Sequence, residues 1–378
     1  MLLLRSGCRG VAPAAENVQL MKAIQEQPLT CCPDYPERVA RWEAWWTFAS
    51  DRPLACVSVG TNKNIRWDKA FDLLEQPEQW LAVRRAQLEN THWAGDEVPS
   101  IRVDIGPVAI AAFAGAPLHF SAAENTSWQH PIIRSWDPLP PLRLDPDNRW
   151  YRAVMKLLEV TAADAAGNYA VMMPDYSGAV DALANLRGSE DLLLDLYDHR
   201  AAVIRAADAL VDVWEGAYRR TNEILAASGA AMTTWVGPGS RVPYTVPTCD
   251  FNYMIGPQDF IETCLPSLRE QARRAGRCAL HVDGPGAANH AEAIASAPEI
   301  TAVQYTPGAA TPSALERIHL FKRWQAAGKP VVVCCPKEEV PEIVRQLDPR
   351  GLLIWPSGVS SPSEADEMAK YIQTHGRR

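Results

Sequence analysis

The stretch from Cys278 to Gly286 combines residue types that can do chemistry. A short apolar run ends in His281 and Asp283, and a Gly-Pro-Gly turn follows at once. In a β-strand, residues two positions apart share a face, so these two side chains point the same way where the strand stops. Burying two ionisable groups is costly unless they are paired. The pattern therefore predicts a general acid/base pair, a pair of metal ligands, or anchors for a polar ligand.

Apolar, strand-like runs alternate with amphipathic segments of helix length along most of the chain. Runs such as 330–336 are almost continuously apolar, which is typical of strands covered on both faces, whereas 313–327 carries apolar residues at helical spacing. Such alternation predicts an α/β protein with a parallel sheet and right-handed crossovers. Roughly eight units after residue 99 favour a closed (β/α)₈ TIM barrel. The predicted strands are 54–60, 100–106, 169–175, 232–237, 247–253, 278–284, 301–308, 330–336 and 351–358.

The first hundred residues have a different pattern. Trp42, Trp45 and Trp46 stand at helical spacing, and 61–97 is again helix-like. These segments predict a helical N-terminal extension, residues 1–98, packed on a barrel that spans 99–378. Residues 134–149 are rich in proline and aspartate and predict a long surface loop.

Composition excludes several classes of protein. The 378 residues carry 37 lysines and arginines against 45 aspartates and glutamates, a net charge of −8. The basic residues form no block, so no nucleic-acid partner is expected. No apolar run approaches the roughly 20 residues that span a bilayer, and residues 1–5 lack the apolar length of a signal peptide. The nine cysteines form no spaced framework, which predicts reduced thiols in a cytoplasmic monomer or homodimer.

The strand ends predict an acidic, aromatic-lined pocket, because barrel active sites form at the C-terminal ends of the strands. Such a lining favours a neutral or cationic small organic molecule over a polyanion. Helix capping or loop anchoring is an equally simple role for Asp175, and packing is one for Tyr305 and Trp355. The catalytic candidates are His281, Asp283 and Asp250, of which the first two are also candidate metal ligands. The candidates for substrate binding are Asp175, Tyr176, Trp128, Trp235, Tyr253, Gln304, Tyr305 and Trp355.

Three motifs carry a family resemblance: Cys249-Asp-Phe-Asn-Tyr-Met-Ile-Gly-Pro-Gln-Asp-Phe260, Leu280-His-Val-Asp-Gly-Pro-Gly286 and Ala302-Val-Gln-Tyr-Thr-Pro-Gly308. Together they resemble the uroporphyrinogen decarboxylase-like superfamily. That superfamily also holds the cobalamin-independent methionine synthases and the methylcobamide:thiol methyltransferases. The likeness extends upstream to 51–53 and downstream to 351–353, so it covers most of the chain. It implies the same (β/α)₈ barrel.

The departures from the superfamily concern the chemistry. Uroporphyrinogen decarboxylases carry an Arg-rich segment, Met-Arg-Gln-Ala-Gly-Arg, that is absent here, so tetrapyrrole decarboxylation is not expected. The zinc-dependent methyltransferases have a His-x-Cys pair where this chain has His281 and Asp283, and a distant cysteine near the last strand that is also missing. A thiolate zinc site is therefore not expected. The pair could still hold a metal through harder ligands, with Asp250 or Cys249 nearby. It could equally work without metal, with Asp283 orienting the imidazole while His281 moves a proton.

Three functions remain open from the sequence. The resemblance implies a one-carbon methyltransferase that acts on a small methylated substrate and is linked to a corrinoid on a partner protein. The alternative enzyme is a decarboxylase or lyase of a small carboxylated substrate, in which Asp250 or Asp283 stabilises a developing cation. The non-enzyme alternative is a barrel that only binds a small molecule.

Overall fold

The structure of the chain, a computed structural model, describes residues 15–121, 123–308 and 313–376. Strands and helices alternate along most of these residues, which confirms the α/β class. The strands are β1 (Leu54–Gly60), β2 (Thr91–Gly95), β3 (Ser100–Arg102), β4 (Leu118–Ser121), β5 (Thr126–Gln129), β6 (Ala170–Met172), β7 (Ala231–Thr233), β8 (Ala279–Asp283), β9 (Ala302–Thr306), β10 (Val331–Pro336) and β11 (Leu352–Ser357).

The helices begin and end where local sequence signals place them. Asn148 caps α5 by accepting hydrogen bonds from the N–H groups of Trp150 and Tyr151, each at 3.0 Å. Gly229 ends α8 with a positive φ of 68°. The helices are α1 (Ala15–Gln25), α2 (Tyr35–Trp46), α3 (Pro77–Glu89), α4 (Ala109–Phe113), α5 (Arg149–Ala165), α6 (Ala179–Arg187), α7 (Ser189–Asp198), α8 (Arg200–Ser228), α9 (Pro257–Asp259), α10 (Leu265–Ala275), α11 (Gly284–Ala287), α12 (Ala291–Ser296), α13 (Ile318–Ala326), α14 (Val340–Gln346) and α15 (Pro362–His375).

Hydrogen bonds join the strands into two parallel sheets and one hairpin. The larger sheet has the order β2-β1-β11-β10-β9-β8, with β2 antiparallel to β1. The smaller sheet has the order β3-β6-β7, and β4 pairs with β5 as the hairpin. Among the described residues these ladders do not form one closed ring, so the (β/α)₈ barrel stays a prediction.

Residues 245–247 continue the larger sheet at its β8 edge. The backbone N–H of Ala279 donates to the carbonyl of Thr245, and that of His281 donates to the carbonyl of Pro247, both at 3.0 Å. The bridge between Thr245 and Cys278 is parallel. This short segment therefore lies beside β8 as a further parallel neighbour.

The strand predicted over 247–253 is wrong beyond this point. Residues Asp250–Met254 form a 3₁₀ turn instead. The Asp181 carboxylate on α6 accepts hydrogen bonds from the N–H groups of Asp250 and Phe251, each at 3.0 Å, and from Thr248 Oγ1 at 2.5 Å. Because these N–H groups bind a carboxylate, they do not pair with a neighbouring strand.

The described part of the predicted N-terminal extension supplies strands as well as helices. On α2, Trp42 and Trp45 are fully buried, and Trp46 Nε1 donates to the Gly239 carbonyl at 2.9 Å. The strand predicted at 54–60 is confirmed as β1, and it pairs in parallel with β11. The α-helix covers only 77–89 of the segment 61–97. Residues 91–95 form β2, the antiparallel neighbour of β1. The domain boundary at residue 98 stays a prediction.

Within the described residues, no helix combines the length and the apolar character needed to cross a membrane.

Glu97 is a buried acid next to β1. Its side chain is 6% exposed, Oε1 accepts a hydrogen bond from Ser58 Oγ at 3.1 Å, and Oε2 has no partner among the described residues. The Arg38 guanidinium donates to the Glu97 carbonyl rather than to its carboxyl group. Burial raises the pKa of Glu97 to about 7. The hydrogen bond from Ser58 and the positive charge of Arg38 offset this effect of burial only in part.

This burial predicts a pH-dependent stability. Unfolded Glu97 releases its proton near its usual pKa of 4.5, while the folded chain holds it up to about pH 7. The folded state thus binds more protons in this window, and the free energy of unfolding decreases as the pH rises through it, by on the order of 3 kcal/mol at most. Glu97→Gln should therefore become more stable than the wild type as the pH rises, with the full gain above pH 7.

Urea unfolding at about pH 5 and about pH 8 measures this gain, because titration then separates the two proteins only at the higher pH. Glu89→Gln, on the exposed end of α3, is the control and should show the wild-type dependence. The same stability difference between Glu97→Gln and the wild type at both values of pH would contradict the assignment.

Candidate functional site

The parallel register of β8 and β9 collects their polar side chains on one face. His281 lies opposite Gln304 and Asp283 lies opposite Thr306 in the pairing. Successive side chains of a strand alternate between faces, and the intervening Val282 is buried on the other side. The pair identified from the sequence is thus joined by two polar neighbours from the next strand.

Gln304 orients the imidazole of His281. Its amide nitrogen donates to Thr306 Oγ1 at 2.8 Å and to Cys334 Sγ at 3.1 Å. The amide oxygen therefore faces His281 and accepts a hydrogen bond from Nδ1. With the proton held on Nδ1, the Nε2 atom keeps its lone pair for a metal ion or a proton. Gln304 is 1% exposed, so this orientation is held within the core.

Asp250 completes a group of three potential metal ligands. One ligand atom from each of Asp250, His281 and Asp283 lies within 4.8 Å of the other two. Asp283 Oδ1 is buried and has no hydrogen-bond partner among the described residues. A buried carboxylate oxygen without a partner is costly, and a bound cation would supply the missing interaction. One imidazole and two carboxylates form a harder ligand set than thiolates do.

The charges around this group favour a cation. The pKa of Asp250 is raised to about 8 because its carboxyl group is partly desolvated, although the residue is exposed as a whole, and because Asp181, Asp283 and Asp175 add negative charge nearby. Burial also raises the pKa of Asp175 and of Asp181. A divalent ion between the carboxylates would cancel this repulsion.

The Gly-Pro-Gly turn lets the Asp250–Met254 segment approach the end of β8. A β-carbon on Gly286 would lie 2.6 Å from Cδ2 of Tyr253 and 2.7 Å from its carbonyl oxygen. Gly284 has a φ of 73°, and a β-carbon there would lie 3.3 Å from the same ring. Glycines at both positions therefore allow Tyr253 to pack on the turn. Tyr253 remains 54% exposed at the edge of the site.

A cavity of about 480 Å³ opens at the ends of β9, β10 and β11, and Asp283 lies close to its wall. It is lined by Thr306, Cys334, Trp355 and three prolines. Gly308, with a φ of 83°, also lines it, and a β-carbon there would lie 3.7 Å from Asp283 Oδ1. This size and mostly apolar lining suit a small organic molecule.

Trp235 contacts His281 on another side, and Arg102 in turn lies against Trp235. The Trp235 ring contacts the imidazole edge to face at 5.0 Å, and the Arg102 guanidinium lies 5.6 Å from the Trp235 ring centroid. Arg102 also pairs with Asp104 at 3.0 Å and with Asp175 at 3.2 Å. Arg102 was not among the predicted site residues, although its position two residues before a strand-end aspartate is a usable signal.

Three of the predicted substrate-binding residues are not brought to the metal ligands. Tyr176 is buried and its hydroxyl group hydrogen-bonds with Thr221 Oγ1 at 2.6 Å. Tyr305 is fully buried and packs on Phe321. Trp128 lies on the β4–β5 hairpin, is 42% exposed and stacks on a histidine. The structure supports a packing role for the two tyrosines.

Comparisons with known proteins establish the fold only. No protein-family model and no curated protein matches the chain. Its structure is similar to 21 chains of solved structures, among them a methyltransferase from Methanosarcina mazei. That similarity has a TM-score of 0.59 at 11% sequence identity, and it covers 88% of this chain and 97% of the other. At this identity the two proteins share a fold, and the chemistry has to be argued from the site.

The role of Gln304 predicts the effect of replacing it. If the three candidate ligands hold zinc, Gln304→Leu, which removes the acceptor for His281 Nδ1, should lower the zinc affinity about 10–100-fold, the usual loss when the hydrogen-bond partner of a metal-binding histidine is removed. Gln304→Glu keeps an acceptor oxygen at the same position and should retain affinity near the wild-type level. Competition with a chromophoric chelator measures both affinities. An equal loss in both variants would show that Gln304 does not act through the imidazole.

Proposed function

We propose that the chain is a methyltransferase built on a closed (β/α)₈ barrel of the uroporphyrinogen decarboxylase-like type. It takes the methyl group of a small organic substrate that is held in the 480 Å³ cavity at the ends of β9, β10 and β11. The observation that carries the proposal is that Asp283, one of the three candidate ligands, lies close to Gly308 in the wall of a cavity of substrate size. The fold shared with a methyltransferase is consistent with it.

The three residues fit a divalent metal of borderline or hard character. The unpartnered Oδ1 of Asp283, the imidazole oriented through Nδ1 and the nearby carboxyl group of Asp250 would hold it. No cysteine belongs to the group among the described residues, so zinc with histidine and carboxylate ligands fits better than a thiolate site. A metal held by these residues would supply Lewis-acid polarisation of the heteroatom that carries the methyl group.

The chain itself binds and orients the substrate. Trp355 and the prolines of the cavity contact its apolar part at the ends of β9, β10 and β11. The heteroatom that loses the methyl group keeps the electron pair of the broken bond and takes up a proton from solvent, while the acceptor supplies the electron pair of its new bond to the methyl carbon. The mostly apolar lining of the cavity suits an uncharged methyl donor, such as an ether or an amine, better than the carboxylated substrate of a decarboxylase.

A corrinoid on a partner protein is the methyl acceptor in this proposal. The edge of the site is accessible to a large partner, because Tyr253 is 54% and Met254 is 46% exposed. Both residues follow Asp250 in the same turn. An acceptor that arrives from this side reaches the metal ligands without passing through the core.

Metal binding gives the first test of the proposal. The purified chain should bind about one zinc ion, and Asp283→Asn and Asp250→Asn should each lower the affinity at least tenfold, because each removes a charged ligand. Asp198→Asn, an exposed carboxylate on α7, is the matched control and should bind zinc like the wild type. Elemental analysis and chelator competition provide the measurements. Wild-type affinity in both site variants would exclude these residues as ligands.

Methyl transfer is tested directly with cob(I)alamin and a panel of aryl methyl ethers and methylamines. Formation of methylcobalamin, followed by absorbance, is expected with at least one donor. Chelation should abolish it, and added zinc should restore it. Transfer that survives complete metal removal would contradict the metal role alone. Donor binding that is unaccompanied by transfer from any member of the panel would instead favour a barrel that only binds its ligand.

A further inference from the structure

A second cavity, of about 320 Å³, lies between α3, β2 and β3. Its wall contains the cationic side chains of Lys69, Arg84 and Arg102 and the indole rings of Trp67 and Trp93. It is distinct from the cavity at the ends of β9, β10 and β11, with which it shares no lining residue. A concave site with several cations and two aromatic walls indicates an anionic ligand with a flat apolar part.

Arg84 is a cation without a direct carboxylate partner. Its Nη1 donates to the Asp68 carbonyl at 3.0 Å and to Gln87 Oε1 at 2.8 Å, and its Nη2 donates to the Lys69 carbonyl at 2.5 Å. Its Nε is buried and has no hydrogen-bond partner among the described residues. The guanidinium packs on the Trp80 ring at 5.0 Å.

The charge of Arg84 is therefore poorly compensated. Burial lowers its pKa to about 10, because only the more distant carboxylates of Asp104 and Asp68 oppose the cost of desolvation. A partly buried cation that lines a cavity and has an unused N–H group lacks a counter-ion. An anion in the cavity would supply one.

Lys69 is the second uncompensated cation in this wall. Its ammonium group lies 5.7 Å from the Phe71 ring centroid, and it forms no ion pair with the described residues. Arg102 differs, because Asp104 and Asp175 already neutralise it. Two cations thus remain for a ligand, because the neighbouring Asp68 carboxylate is already paired with Arg66.

We propose that this cavity binds a small aromatic carboxylate. The carboxylate accepts hydrogen bonds from Arg84 and Lys69, and the ring lies against Trp67 and Trp93. A monoanion suits this wall better than a phosphate dianion does, because the Asp104 carboxylate also belongs to the wall and repels a dianion more strongly. The two indole rings add contact area that an inorganic anion cannot use.

Calorimetric titration of the full chain with benzoate tests this proposal, with benzamide as the uncharged analogue and inorganic phosphate as the non-aromatic anion. Benzoate should bind at least about tenfold more tightly than either, the factor expected for one charge-assisted hydrogen bond. Lys69→Gln and Arg84→Gln should each weaken benzoate binding by a similar factor. Arg85→Gln, the exposed neighbour on α3, is the matched control and should bind benzoate like the wild type.

The outcomes separate this cavity from the metal site. Benzoate affinity should persist in Asp283→Asn and after chelation, whereas benzoate bound to a metal would be lost in both. Equal affinity for benzoate and benzamide would overturn the anionic character of the site, and equal affinity for phosphate would overturn its aromatic character. Because Arg84 also holds the backbone carbonyls of 68 and 69, Lys69→Gln keeps the proposal falsifiable if Arg84→Gln fails to fold.

Discussion

The parallel register between β8 and β9 is the constraint on which the candidate site depends. It places Gln304 opposite His281 and Thr306 opposite Asp283 on one face of the sheet. A shift of one residue would turn every polar side chain of β9 to the opposite face and bring an apolar one against the imidazole. The remaining features build on this pairing, because the tautomer of His281 is set by Gln304 and the cavity begins at Thr306.

Period-two alternation predicts which side chains of these strands share a face. It identified the shared face of His281 and Asp283, which the structure preserves. Applied to β9, the same alternation places Gln304 and its neighbour Tyr305 on opposite faces. In the structure, Tyr305 packs against Phe321 on α13. The strand ends were predictable from apolar runs and glycines, because those signals are local.

The position of Asp250 could not be predicted in the same way. Its turn exists because the Asp181 carboxylate, 69 residues earlier in the chain, accepts its N–H group and that of Phe251. No local sequence signal shows that an acid within a helix will accept hydrogen bonds from a distant turn. From the sequence alone, the apolar run that ends in aspartate therefore predicts a strand. Long-range hydrogen bonds of this kind override local propensity. Here one carboxylate holds the predicted strand end in a 3₁₀ turn.

Arg102 lies between the cavity formed by α3, β2 and β3 and the surroundings of His281. On one side it pairs with Asp175 and lies over Trp235, which contacts His281. On the other side it lines the cavity that also contains Arg84 and Lys69. Because Asp104 and Asp175 already pair with Arg102, an anion in this cavity finds its partners in Arg84 and Lys69 instead. The charges that hold the anion are thus separate from the carboxylates around His281, although one guanidinium borders both regions.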